Sequence, residues 1–231
     1  MSTSHNAETP DMMESVGEAM SKTELFFENN GKKISYIIFA LLMVAAIIFG
    51  YKTLVVEPKM ESASEMIANA QSIFEGATPD YELALNGDEN GAGFLEVIEN
   101  YGSTPAGNLA NHYAGICYIK IGDLDNAAKY LAQYSAVDGI PASIINAQNL
   151  GLQGDIAVDK GEYAKATELY NKAIRVSDNM LTAPLYMYKS ALVAIELGEN
   201  AKATELLETI IAKYPNSMEA RSAEKYIGTI K

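Results

Sequence analysis

Two histidines, one cysteine and thirty acidic residues are the groups in this 231-residue chain whose chemistry could reach beyond solvation. His5 lies in a polar N-terminal tail and His112 more than a hundred residues away, so a histidine-based triad or a multi-histidine metal site lacks members. Cys117 stands two positions after Gly115 in a small-residue, helix-like run, where a thiol reads as a small buried hydrophobe. The carboxylates fall mostly on turns and on exposed helix faces, as in ENAKATELLET. In EGATPDYELALNGDENGAGF, Asp88, Glu89 and Asn90 miss the calcium-loop spacing, and Gly87, Gly91 and Gly93 match neither phosphate-binding pattern. That stretch reads as a long inter-helix connection. The expectation is a non-enzymatic protein without catalytic residues, metal or cofactor.

The element that decides where such a protein works is ISYIIFALLMVAAIIFGYKTLVV, Ile34 to Val56. Its first 18 residues, Ile34 to Tyr51, carry no charge, about 27 Å of helix at 1.5 Å per residue. Lys52 can snorkel while Thr53 to Val56 complete the span. A cleaved export signal needs a short basic start and small residues at the cut, whereas a long acidic tail precedes this run and YKTLVVEP follows it. No cysteine follows it to take a lipid. Lys22, Lys32 and Lys33 before the run against Lys52 and Lys59 after it favour a cytoplasmic N-terminus. Residues 1–20 read as disordered, and Leu25, Phe26 and Phe27 sit within one helical turn as a short juxtamembrane helix. Beyond residue 56 the chain keeps 13 basic against 24 acidic residues, a net charge of −11 that repels phosphate and excludes nucleic acid as a partner.

The remainder repeats itself. KIGDLDNAAKYLAQY, DKGEYAKATELYNKA and ELGENAKATELLETI align with their glycines at Gly122, Gly161 and Gly198, spaced 39 and 37 apart. Each glycine is placed to end one helix in the left-handed conformation and reverse the chain. Alanine follows five residues later (Ala127, Ala166, Ala203), and small residues precede by seven (Gly115, Gly154, Ala191). Large residues one turn on, Leu131, Tyr170 and Leu207, are placed to fill the space between helices. A more divergent unit comes first: FLEVIENYGSTPAGNLANHYAG parallels LLETIIAKYPNSMEARSAEKYIG, with a helix from Pro58 to Glu75 as its first half. A final helix, Ser217 to Ile230, caps the stack.

This pattern resembles the tetratricopeptide repeat, including its late proline at Pro215 in KYPNS. It departs from the usual period of about 34 residues by short insertions, the first expected in SAVDGIPAS, Ser135 to Ser143. The early tryptophan is absent. The resemblance implies a concave groove lined by the first helix of each pair. Its ligand-facing positions fall on Leu109, His112, Ile116 and Ile119, then Gln148, Gly151, Asp155 and Val158, then Leu185, Tyr188, Leu192 and Ile195. His112 and Ile116 stand where a carboxylate clamp would have Lys and Asn. Tyr188 and His112 pair an apolar body with a polar tip.

The sequence therefore predicts an all-α chain: a cytoplasmic tail over 1–33, a transmembrane helix over 34–56 and a tetratricopeptide-type helical-hairpin solenoid over 57–231. Tail, single span and acidic repeat domain together resemble the bacterial YfgM-like proteins, ancillary subunits of the Sec translocon. That resemblance implies a single-pass inner-membrane protein with a periplasmic repeat domain. Its partners would be proteins or peptides: translocon subunits, a periplasmic prolyl isomerase chaperone, or exported clients. Two other readings are a scaffold for an envelope or motility complex, and a cytosol-facing membrane-anchored receptor.

Overall fold

The computed structural model describes the backbone from residue 10 to residue 230 and side chains from residue 24, that of residue 25 excepted. His5 and the start of the expected disordered tail lie outside these residues. From Pro10 onward the backbone is helical. The chain forms two compact units that divide between Pro58 and Lys59.

The first unit holds helix α1 (Pro10–Tyr51) and a π-helical turn at Lys52–Val56. The apolar side chains from Tyr36 to Leu54 are exposed along it, on every face of the helix. Among the described residues this is the one helical stretch long and apolar enough to cross a membrane. Phe26 and Phe27, expected at a membrane surface, are exposed and meet edge to face at 6.0 Å.

The second unit is a succession of antiparallel helix pairs. Helix α2 (Glu57–Phe74) joins α4 (Phe94–Tyr101) in the first core cluster through Ile67 and Ala70, while α5 (Pro105–Ile121) pairs with α6 (Leu124–Gln133) and α7 (Ile140–Asp159) with α8 (Tyr163–Val176). Helix α9 (Ala183–Glu196) pairs with α10 (Asn200–Lys213), and α11 (Met218–Ile227) closes the stack. The expected all-α repeat solenoid is the observed fold.

The three turn glycines have φ of +86° at Gly122, +73° at Gly161 and +72° at Gly198. Around each, the same pair of hydrogen bonds recurs. Gly122, Gly161 and Gly198 donate to Ile119, Val158 and Ile195, and the residues after them donate five positions back to Tyr118, Ala157 and Ala194. This double closure satisfies the carbonyls that a helix end leaves open. The small residues behave as their spacing demands. A Cβ on Gly115 would lie 2.5 Å from Leu131 Cγ, and one on Gly154 would lie 2.5 Å from Tyr170 Cε1. Large residues of the second helix thus occupy the room that glycine leaves on the first.

The core is a string of small clusters rather than one mass, as expected where each repeat touches only its neighbours. Phe94, Leu85 and Val97 anchor the first, with Phe74, Phe94 and Tyr113 in mutual ring contact; Phe94 and Tyr113 stack at 5.2 Å. Ala127, Leu131 and Ile156 form the next. Tyr170 with Tyr186 forms the third, and Leu207 with Ile210 and Tyr214 the last.

The connections hold more structure than expected. The glycine-rich stretch contains a short helix, α3 (Tyr81–Asn86), capped by Asp80, and a two-residue hairpin of β1 (Gly87–Asp88) and β2 (Gly91–Ala92). Asp88 Oδ1 accepts from the amides of Asn90 and Gly91, and Asn69 Nδ2 donates to the carbonyl of Ala92. These carboxylates and glycines are used in turn geometry and close backbone approach. The insertion after α6 is held by two asparagines. Asn108 bonds both the amide and the carbonyl of Ser135 (2.7 and 2.8 Å), and Asn146 does the same for Val137 (3.2 and 2.8 Å).

Candidate functional site

A cavity of about 540 Å³ in the repeat unit is framed by α7, α8 and α9. Helix α7 contributes Asp155, Val158 and Asp159, one face over successive turns. From α9 come Lys189, Leu192, Val193 and Glu196, while Tyr163 and Tyr170 of α8 close one side. The close seating of α7 on α9 depends on Gly151, whose hypothetical Cβ would meet the ring of Tyr186 at 2.0 Å.

Asp155 organises the inner part. Its carboxylate accepts from Tyr170 Oη at 2.7 Å and from Lys189 Nζ at 2.8 and 2.6 Å. Burial, then the hydrogen bond and charge of Asp155, push the Tyr170 phenol far up from its ordinary range, so it remains a neutral donor. Lys189 Nζ also lies 5.9 Å from the centre of the Tyr186 ring, which stacks on Tyr170 at 6.1 Å. With Asp155 and Lys189 paired, Asp159 and Glu196 stand at the cavity without an opposite charge among the described residues. The arrangement has an apolar wall, an aromatic side and a negative mouth, suited to a short segment that carries a basic side chain beside an apolar one.

Three of the twelve residues expected in a groove, Asp155, Val158 and Leu192, come together here. The others are placed elsewhere. His112 is 2% exposed, with Asn149 Nδ2 at 3.2 Å from its Nδ1, so it links α5 to α7 inside the stack. Leu109 packs on the first core cluster, Ile119 on that of Leu131, and Leu185 on that of Tyr170. Tyr188 is half-buried and meets Tyr226 of the capping helix edge to face at 5.8 Å. Ile116 and Ile195 are half-buried, and Gln148 is exposed. Gly151, on the same face of α7, lies beneath the ring of Tyr186.

Following one face of the first helices missed Asp159 and Glu196, each one turn past a predicted position, and Tyr163 and Tyr170 on the second helix. A signal for Lys189 was present. Asp155 and Lys189 are 34 residues apart, while Asp125 with Lys160 and Asp178 with Lys213 are 35 apart. An acid and a lysine separated by one repeat mark a pair bridging neighbouring units.

The tetratricopeptide repeat family is matched by two profiles, one at residues 110–136 and 186–217 and the other at 147–180. These intervals coincide with the three pairs from α5 to α10. The chain carries tetratricopeptide repeats. Among solved structures this tetratricopeptide protein is similar to MamA. One MamA structure is 23% identical, covering 59% of this chain and 76% of that one at a TM-score of 0.46; another is 20% identical, covering 72% and 81% at 0.49. It is also similar, at 15% identity over 76% of this chain and 84% of the other with a TM-score of 0.47, to a candidate kinesin light chain of Podosopora anserina with nearly identical TPR-like repeats. No curated protein sequence matches it. Tetratricopeptide repeats serve protein–protein interaction, the work of an adaptor or scaffold. Cys117 agrees with that character: burial pushes its thiol up to about 12, leaving it unreactive at neutral pH.

Proposed function

We propose that this protein is a membrane-anchored adaptor whose cavity between α7 and α9 receives a short protein segment with one basic and one apolar side chain. The observation that carries the reading is the cavity itself: about 540 Å³, with Leu192 and Val193 as its apolar wall and with Asp159 and Glu196, which form no ion pair among the described residues, at its mouth. Residues 34–56 serve as the anchor, 1–33 as a cytoplasmic tail and 57–231 as a repeat domain on the periplasmic side. The lysines before the span favour that orientation. The resemblance to the YfgM-like proteins favours exported chains, their chaperones or Sec translocon subunits as partners. Anchoring confines adaptor and partner to one surface, so a weak groove contact gains effective concentration.

The test is photo-crosslinking in cells from a benzophenone side chain at position 192 of the full-length protein, with and without Asp159→Asn plus Glu196→Gln. Capture of a discrete partner, lowered about tenfold by the double substitution, is expected. Undiminished capture would remove the charged mouth from the mechanism. No capture from position 192, with capture from position 153 on the opposite side of α7, would favour the scaffold reading. That reading draws support from the burial of His112 and the packing of Leu185 and Tyr188 into neighbouring helices.

A further inference from the structure

The repeat unit has two unlike edges. One edge carries the reversals within each pair, at Gly122, Gly161 and Gly198, where Asp125, Glu162 and Glu199 pair with Lys160, Lys165 and Lys202. The opposite edge carries the connections between pairs. A chain of hydrogen bonds marks that second edge along its length. Lys59 Nζ near the start of α2 meets Ser103 Oγ at 3.3 Å, in the connection leading to α5. Asn108 then holds Ser135, Ser143 Oγ lies 3.5 Å from Ser177 Oγ, and Lys213 meets Asp178 at 2.7 Å.

Large apolar side chains are displayed on this edge. Ile140 (85% exposed), Met218 (71%), Leu181 (67%) and Met180 (60%) are the most exposed ones in the repeat unit, and all four stand at connections between pairs. On the edge of the reversals none exceeds Leu197 at 46%. Side chains of this kind recurring at three successive connections form an apolar row that no part of the unit covers.

Chain connectivity says what lies beside it. Lys59 follows Val56, the last residue of the proposed span, by three residues, a covalent reach of about 10 Å. The edge that includes Lys59 is therefore tethered close to the bilayer surface. We infer that the connections between repeat pairs form a lipid-contact edge, on which Ile140, Met180, Leu181 and Met218 enter the interfacial layer of the bilayer. This rests on the membrane-anchor reading of residues 34–56.

The test uses the full chain in phosphatidylcholine nanodiscs, with an environment-sensitive NBD fluorophore placed singly through Leu42→Cys, Ile140→Cys, Leu181→Cys or Leu197→Cys. Native Cys117 is buried and stays unlabelled. Lipids with a nitroxide high on the acyl chain are expected to quench the probe at 140 and at 181 at least twofold more than at 197. Quenching at 42 by deep nitroxides, with 140 and 181 no more quenched than 197, would overturn the lipid edge while leaving the anchor intact. Absence of quenching at 42 would overturn the anchor and this inference with it. In native membranes, a photo-crosslinker at 140 that captures one protein and no lipid would assign the edge to a protein partner and overturn the proposal.

Discussion

At the scale of single residues, His112 departs furthest from expectation. Its place in the repeat resemblance pointed to a groove, yet it is buried between α5 and α7, in a polar chain where Gln153 donates to Asn149 and Asn149 reaches the imidazole. Burial lowers its pKa from 6.5 to about 4, so the folded protein keeps the ring neutral where the unfolded chain protonates it. Stability due to this group is present above pH 6.5, falls as the pH drops toward 4, and is lost below that. A shift of that size is worth about 3 kcal/mol. His112→Gln is expected to lose less urea resistance than the parent between pH 7 and pH 4, the carboxylates common to both cancelling in the comparison. Parallel losses would show that the imidazole is not kept neutral by the fold. Nothing in the sequence distinguished a buried His112 from an exposed one, because the residue that faces it, Asn149, is 37 positions away on the next repeat.

At the scale of elements, glycine does two jobs that one pattern cannot separate. Gly161 turns the chain at φ +73° with open space around it, whereas Gly151 has ordinary helical backbone and a tyrosine ring against its Cα. Gly161→Ala is expected to cost about 1 kcal/mol through backbone strain alone. Gly151→Ala is expected to cost about 2 kcal/mol or more, because Tyr186 is buried and has no room to give way. Urea midpoints of the two variants check the order, and equal costs would mean that α9 shifts off α7 cheaply. The turn glycines were legible because their spacing repeats and the left-handed conformation is a local demand. Gly151 was not, since its reason lies in a side chain 35 residues further on.

For the whole molecule, stability passes from pair to pair, so the ends matter. Helix α11 covers the last cluster with Ala220 and Ala223 against Leu207, Ile210 and Tyr214, while Asp178 accepts from both Lys213 and Tyr214 to tie the preceding pair across. Deleting residues 218–231 is expected to lower the thermal midpoint of the repeat unit by several degrees and to promote association through the uncovered face of α9 and α10. Circular dichroism melting and light scattering read both effects. An unchanged melt would make α11 an appendage rather than a cap.

Read by itself, the sequence determined the helix pairs, the places where they reverse, the closing helix, and a stretch long and apolar enough for a membrane. Each of these is a local matter: a period, a left-handed turn, an uncharged run. The tertiary structure decided which faces remained open. Twelve residues share equivalent positions along the repeat, but only Asp155, Val158 and Leu192 reach the cavity. What neighbouring helices cover depends on side chains one repeat away, such as Tyr186 over Gly151 and Asn149 beside His112. The apolar edge is likewise a product of stacking, since Ile140, Leu181 and Met218 lie far apart along the chain and align only when equivalent connections are brought to the same side of the stack.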